Sequence, residues 1–319
     1  MTTINGLHHV TCIASDPQKN LDFYAGVLGM RLVKKSVNQD DPKTYHLFYA
    51  DAEGRPGTDL TFFPWQHMQS ARKGVGLATE VQLAVAPETL FFWQKRFERY
   101  GVKTNDIETR FGEKVLPFWD DDGLELALVE ISSQREFTPW EKSDVPEDKQ
   151  MIGLHGSRMW QRTLEQSANF LTDTMGFSYA GHEKGWHRYT VNGGGSGNFV
   201  DVQELPNLGR GQWGTGSIHH LAWRVNDTEH ELQVREKIAR AGRRPTEQID
   251  RFWFKSVYFM EPGGVLFELA TDGPGFAVDE ERSKLGETLV LPPWLEPHRK
   301  EIELGLPTLR NEEVGMRNG

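Results

Sequence analysis

Two pairs of adjacent histidines stand out among the eleven histidines of this chain. His8-His9 lies in Leu7-His8-His9-Val10-Thr11-Cys12-Ile13, and His219-His220 precedes Leu221-Ala222-Trp223-Arg224-Val225. Imidazole is the commonest side-chain metal ligand and titrates near neutral pH. A third group, Glu268, sits alone in Val265-Leu266-Phe267-Glu268-Leu269. A carboxylate in an apolar run is costly unless it is paired or bound to a metal. Two imidazoles and a carboxylate brought to one point would hold a divalent ion and leave part of its coordination sphere open. The single cysteine, Cys12, excludes an internal disulfide and a Cys-rich metal site.

The elements that would bring these groups together repeat four times along the chain. Each repeat opens with a short strand-like run, at 7–13, 79–85, 153–159 and 217–225. A helical stretch follows and stops at Gly29, Gly101, Gly176 or Gly242, where glycine suits the left-handed residue past a helix end. Ser15 or Asp16 can cap the first helix, with Pro17 in its first turn. Shorter strands complete each unit, separated by turns such as Glu261-Pro262-Gly263-Gly264. The reading is β-α-β-β-β over 7–65, 78–132, 152–205 and 217–271, with linkers at 66–76 and 132–150. One such unit is too small to bury its own sheet, so units should share cores in pairs. The first and fourth opening strands carry the histidine pairs at the same place. Alternation along a strand predicts that His8 and His219 point away from their neighbours.

A fourfold β-α-β-β-β repeat resembles the vicinal oxygen chelate superfamily, which includes glyoxalase I, extradiol ring-cleaving dioxygenases and antibiotic-resistance proteins. Leu7-His8-His9-Val10-Thr11 and the run from Asp22-Phe23-Tyr24 to Leu28-Gly29-Met30 are similar to its first unit. The doubled histidines and the ending Leu291-Pro292-Pro293-Trp294-Leu295-Glu296-Pro297 resemble the hydroquinone ring-cleaving dioxygenases. The resemblance implies an α+β fold, four βαβββ units paired into two cup-shaped mixed sheets. Along the chain it implies an N-terminal domain at 1–132, a C-terminal domain at 151–272 and a tail at 273–319. It also implies that the second histidine of each pair is the ligand, so that His9, His220 and Glu268 hold the metal.

Units two and three lack such a pair. Their opening strands read Thr79-Glu80-Val81-Gln82-Leu83 and Leu154-His155-Gly156-Ser157-Arg158, with Gly156 where a ligand would fall. Units one and four are therefore expected to form the metal-bearing cup, and units two and three the other. Glu130, closing unit two, is a weaker rival acid. The place in unit one that corresponds to Glu268 falls near Thr61, so a fourth protein ligand of the glyoxalase I kind is missing. A two-histidine, one-carboxylate set favours non-haem Fe(II), with Mn(II), Zn(II) or Ni(II) as alternatives.

The implied activity is Fe(II)-dependent ring cleavage of a hydroquinone or catechol by dioxygen. The alternatives are a glyoxalase-like lyase or isomerase and a protein that only binds an aromatic compound. His8, His219, Arg251 and Tyr258 resemble residues around the metal in the hydroquinone dioxygenases. His8 or His219 would act as a base near an unperturbed pKa of about 6.5. Arg251 and Tyr258 would hydrogen-bond the substrate oxygen where negative charge develops. Thr11 is a weaker candidate on the strand of His9, and Phe252, Trp253 and Phe254 are expected to line an apolar pocket. Against these readings stand an Arg251 salt bridge with Asp250 or Glu247 and core packing of Tyr258.

Composition narrows the partners. The formal net charge of -10, with no basic stripe, argues against nucleic acid. No apolar run reaches the roughly 20 residues that cross a bilayer, and residues 1–5 show no signal-peptide pattern, so a cytoplasmic protein is expected. Superfamily members commonly associate, which allows a homo-oligomer. Gly193-Gly194-Gly195-Ser196-Gly197 lacks the Lys and Ser/Thr of a phosphate loop and reads as a hairpin tip.

Overall fold

In the computed structural model, which describes residues 4–310, four units follow one another as the repeats predict. Unit one is β1 (Leu7–Ala14), α1 (Pro17–Leu21), β2 (Arg31–Asn38), β3 (Asp41–Ala50) and β4 (Asp59–Pro64). Unit two is β5 (Leu77–Val85), α2 (Leu90–Tyr100), β6 (Glu108–Arg110), β7 (Glu113–Trp119) and β8 (Glu125–Glu130). Unit three is β9 (Gly153–Gln161), α3 (Leu164–Asn169), β10 (Ser178–Glu183), β11 (Trp186–Thr190) and β12 (Phe199–Glu204). Unit four is β13 (Ser217–Val225), α4 (Thr228–Arg240), β14 (Ile249–Asp250), β15 (Lys255–Met260) and β16 (Leu266–Thr271). Asp16, rather than Ser15, caps α1, accepting the Lys19 N–H at 2.9 Å. All four helix-ending glycines have positive φ, between 68° and 82°. Single π-helical segments, Asp22–Val27 and Phe170–Thr174, continue α1 and α3, which a plain 3.6-residue period does not foresee.

Strand order shows how the units pair. One eight-stranded sheet runs β14-β15-β16-β13-β1-β4-β3-β2, and the other β10-β11-β12-β9-β5-β8-β7-β6. Unit four thus joins unit one, and unit three joins unit two. The seams β1–β13 and β5–β9 are antiparallel, and each opening strand runs parallel to its closing strand. Each sheet draws one unit from 1–132 and one from 151–272, so a division of the chain at 132 and 151 does not separate the sheets. The two segments that lead from one sheet to the other, between β4 and β5 and between β12 and β13, lie side by side, bridged at Ser70–Thr215, Arg72–Gln212 and Val75–Arg210. Beyond Gly273, the chain lies against the unit-one end of the first sheet. There the buried Lys34 ammonium bonds the Phe276 carbonyl at 3.0 Å and Asp279 at 2.8 Å, and it also meets Glu280.

The pairing register skips one residue at the same place on all four opening strands. Leu7 pairs with Trp223 and His9 with Ala222, so His8 is extra; Thr11 pairs with His220 and Cys12 with Ile218, so His219 is extra. The same skips fall at Thr79 and His155. Such β-bulges shift the alternation by one residue and re-aim side chains. Leu7, Val10, Cys12 and Ala14 therefore enter the main core, as do Ile218, Leu221, Trp223 and Val225. Both members of each histidine pair are left on the concave face. The expectation that His8 and His219 point away from their neighbours is corrected on this ground.

At Gly156, the counterpart of His220, the second sheet has no room for a side chain: a Cβ there would lie 2.4 Å from the ring of Phe199. Gly156→Ala should lower stability by about 1–3 kcal/mol, the usual cost of overpacking. The reading is a lower denaturant midpoint at unchanged slope; an unshifted midpoint would contradict the packing.

Candidate metal centre

β1, β13 and β16 lie side by side, and the side chains of His9, His220 and Glu268 meet where they adjoin. The His9 and His220 Nε2 atoms are 3.2 Å apart, and Glu268 Oε2 lies 3.2 Å from the first and 2.8 Å from the second. All three residues are buried, and they form the one grouping of three or more such donors among the described residues. Donors at about 2.1 Å from one ion and at right angles to each other lie roughly 3.0 Å apart. The observed spacings fit that arrangement.

Protons can be placed by following the hydrogen bonds outward. His8 Nε2 faces the Thr271 carbonyl at 3.2 Å, which only accepts, so this nitrogen carries the proton. A neutral His8 then has a bare Nδ1, which lies 2.9 Å from His9 Nδ1 and accepts its proton. His9 Nε2 is therefore left as a lone pair aimed at the site. His219 Nδ1 meets His220 Nδ1 at 2.8 Å in the same way. Ser256 donates to Glu268 Oε1 at 2.5 Å, whereas Oε2 is buried with no hydrogen-bond donor, although it stands at ion-pair distance from both imidazoles. Donor atoms facing one another without a proton between them call for a cation.

Electrostatics express the same demand. Burial alone would raise the Glu268 carboxyl, but the His9 and His220 imidazoles outweigh it and hold it well below the usual carboxylate range. Burial lowers His9, yet Glu268 reverses the sign and raises it above its ordinary value. The outer histidines behave differently. Burial, reinforced by His220, pushes His219 down to about 3, and burial with His9 takes His8 well below its ordinary value. The pKa expected near 6.5 is therefore shifted down in both rings, which are neutral at pH 7. His8 is fixed by the Thr271 carbonyl, and His219 Nδ1 is engaged by His220 Nδ1 at 2.8 Å.

The remaining predicted residues flank this centre. Tyr258 pairs with Glu268 across β15 and β16, its ring 5.6 Å from that of His220. Arg251 lies over the Tyr258 ring at 5.4 Å and is bonded to Asp40 at 2.8 and 3.2 Å, rather than to Asp250 or Glu247. Thr11 Oγ1 is 2.7 Å from Thr61 Oγ1. Thr61 stands beside Thr11 as Glu268 stands beside Ala222, which makes it the positional counterpart of the ligand acid. Glu130 lies away from the centre and accepts the Leu90 N–H at the start of α2. Of the three aromatics after Arg251, Phe254 packs on His8 and His9 at 5.3 Å.

Three features escaped the sequence reading. His46 Nε2 bonds Thr61 Oγ1 at 2.9 Å, its ring tilted against those of Phe48 and Phe63. No sister unit repeats that histidine, so the repeat gave no signal. Asp59, in register with His9, is buried with both oxygens unpartnered, and burial pushes its carboxyl up to about 7. Finally, Trp213, Phe63 and Trp65 gather around His219 at 4.7, 5.6 and 5.9 Å. The bulges themselves were readable, since core residues recur at i, i+3, i+5 and i+7 in both histidine-bearing strands.

The sequence matches the Glyoxalase/Bleomycin resistance protein/Dioxygenase superfamily over residues 6–128 and 157–269, and the chain belongs to that family. It is 43% identical over 301 residues to a Bacillus subtilis (strain 168) protein provisionally named the ring-cleaving dioxygenase MhqO, covering 94% of this chain and 95% of that one. It is 30% identical to the chlorohydroquinone/hydroquinone 1,2-dioxygenase of Sphingobium indicum, covering 94% and 95%. A crystal structure from Bacillus subtilis, provisionally named a dioxygenase, superposes with a TM-score of 0.91 at 42% identity over 97% of this chain and 99% of that one. Glyoxalase I from Zea mays, at 14% identity and a TM-score of 0.62 over 84% and 92%, shares the fold. These relatives make the chain a dioxygenase-type enzyme of the vicinal oxygen chelate fold. No helix among the described residues is long and apolar enough to cross a membrane.

Two outcomes follow from the proton placement. His8→Ala, which removes the acceptor for His9 Nδ1, should weaken metal binding by about 10–100-fold; unchanged affinity in a chelator competition would contradict the relay. Protons compete for His9, whose pKa is raised, so metal affinity should already be falling above the ordinary histidine value of about 6.5 and continue to fall as pH drops through it. The same competition, repeated across pH, reads this out, and a flat profile would contradict it.

Proposed function

We propose that this protein is an Fe(II)-dependent ring-cleaving dioxygenase for hydroquinone- or catechol-type aromatics, with His9, His220 and Glu268 holding the ion. The observation that carries the reading is the set of three donor atoms 2.8–3.2 Å apart, beside a fourth position occupied by Thr61. Thr61 is uncharged and already bonded to His46 and Thr11, so the position that matches Glu268 offers no carboxylate. When bound, Fe(II) with open positions lets an electron-rich phenol and dioxygen react with each other. The Sphingobium relative, whose name includes hydroquinone, supports the substrate class.

The residues of the chain supply position and charge stabilisation. Phe63, Trp65 and Trp213 form an aromatic wall on which a flat ring can stack, at the exposed edge of His219. His219 Nε2–H donates to a substrate oxygen. The Tyr258 hydroxyl stays protonated, since burial and Glu268 raise its pKa against the pull of Arg251, and it serves as a second donor. Arg251 stabilises negative charge that develops near Tyr258. Phe254 keeps water from the back of His8 and His9. In the overall change one ring C–C bond beside a hydroxyl-bearing carbon breaks, and both atoms of dioxygen enter the product. The open chain carries a carboxylate and a second carbonyl group, and no external reductant is consumed.

The test is oxygen uptake. Protein loaded anaerobically with Fe(II) should consume about one dioxygen per hydroquinone or catechol, the stoichiometry of a reaction in which the ion and its open positions turn over unchanged. No uptake with any phenol would overturn the proposal. Turnover without oxygen would point to the lyase or isomerase reading, and tight aromatic binding that survives His9→Ala would point to a binding protein.

A further inference from the structure

The second cup repeats the first at the level of the strands, so its residues can be matched by register. His9 and His220 correspond to Glu80 and Gly156, and the pair Ala222–Glu268 corresponds to Arg158–Asp201. Two carboxylates thus stand at places that face the ion in the first cup. Each already has its own cation. Asp201 receives Arg188 through two bonds of 2.8 and 3.0 Å, and Glu80 receives Arg110 at 2.7 Å and Gln82 at 2.9 Å.

Arg158 is left over. Its side chain is 9% exposed, and its Nε lies 3.7 Å from Glu80 and 3.8 Å from Asp201, beyond hydrogen-bond range. That Nε is buried with no partner. A guanidinium has five N–H donors in a planar fork, and leaving even one of them, here the Nε–H, buried and unused is costly. One face of the fork stacks on Trp186 at 4.3 Å. Arg158 and Trp186 also line a pocket of about 90 Å³, several times what one water needs, together with Phe111, Arg110 and Lys184. Glu108 and Glu183 at the same pocket are engaged, the first by Arg110 at 2.5 Å and the second by the Phe111 N–H.

We propose that the second cup binds a small carboxylate-bearing molecule, its carboxylate on the Arg158 fork and its apolar body between Trp186 and Phe111. Charge decides between anion classes. Glu80 and Asp201 lie within 4 Å of the guanidinium and repel a dianion such as phosphate about twice as strongly as a monoanion, and the planar fork matches a carboxylate in two-point fashion. The site stands on a different sheet from the metal centre and does not depend on the reaction proposed there.

The experiment is a calorimetric titration of the intact protein with benzoate, joined to a crystal soak with 4-bromobenzoate. Saturable one-to-one binding at a Kd of about 1 mM or tighter is expected. Arg158→Met, which keeps length and stacking, should weaken it at least roughly tenfold. Arg158→Lys, which keeps the charge and loses the fork, should fall between. Bromine anomalous density should lie against Trp186 in the wild-type crystal, a reading that needs no variant. Absence of saturable binding, equal binding by Arg158→Met, or bromine only at the metal centre would overturn the proposal.

Discussion

A regular strand shows a partner face only every second residue, so it cannot aim two adjacent histidines into one cup. The extra residue in each opening strand removes that restriction. With His8 and His219 as the extra residues, each inner imidazole gains an outer imidazole on its own face. The Nδ1–Nδ1 contacts of 2.9 and 2.8 Å follow directly. From them follow the tautomers, the lone pair on His9 Nε2, and the convergence with the unpartnered oxygen of Glu268. The proposed metal centre is thus a consequence of strand register, reinforced by the Thr271 carbonyl behind His8.

The same bulge persists in the second sheet, at Thr79 and His155, where no histidine pair remains. The backbone device is the same in both sheets, and what it presents differs. In one sheet the concave positions offer lone pairs that need a cation. In the other, Arg110, Arg158 and Arg188 supply fixed cations of their own, and Phe199 fills the space that Gly156 leaves. The two cups share a geometry and have opposite electrostatic demands.

Much of this was legible in the residues. The four units and their glycine stops follow from a periodic pattern that one chain repeats, and the choice of His9, His220 and Glu268 follows from that pattern together with the family resemblance. The pairing of unit four with unit one could be argued only from where ligands sat, because a pattern of strands does not say which edges meet. Strict alternation misplaced His8 and His219, since a bulge violates it, although the spacing of Leu7, Val10 and Cys12 records the violation. His46 and Asp59 had no counterpart in sister units and no motif, and only the packing of β3 and β4 against β1 brings them near the centre. The neutral state of His8 and His219 was equally hidden, because it depends on burial.

The central claim is that register alone converges three protein donors on one ion and leaves the rest of its sphere to substrates. Anomalous diffraction at the iron edge, on crystals grown anaerobically with Fe(II), tests it most directly. The account predicts one iron per chain, at about 2.0–2.2 Å from His9 Nε2, His220 Nε2 and Glu268 Oε2, the usual range for nitrogen and oxygen ligands. Iron bound through His8, His219 or Thr61, or found away from Glu268, would contradict it.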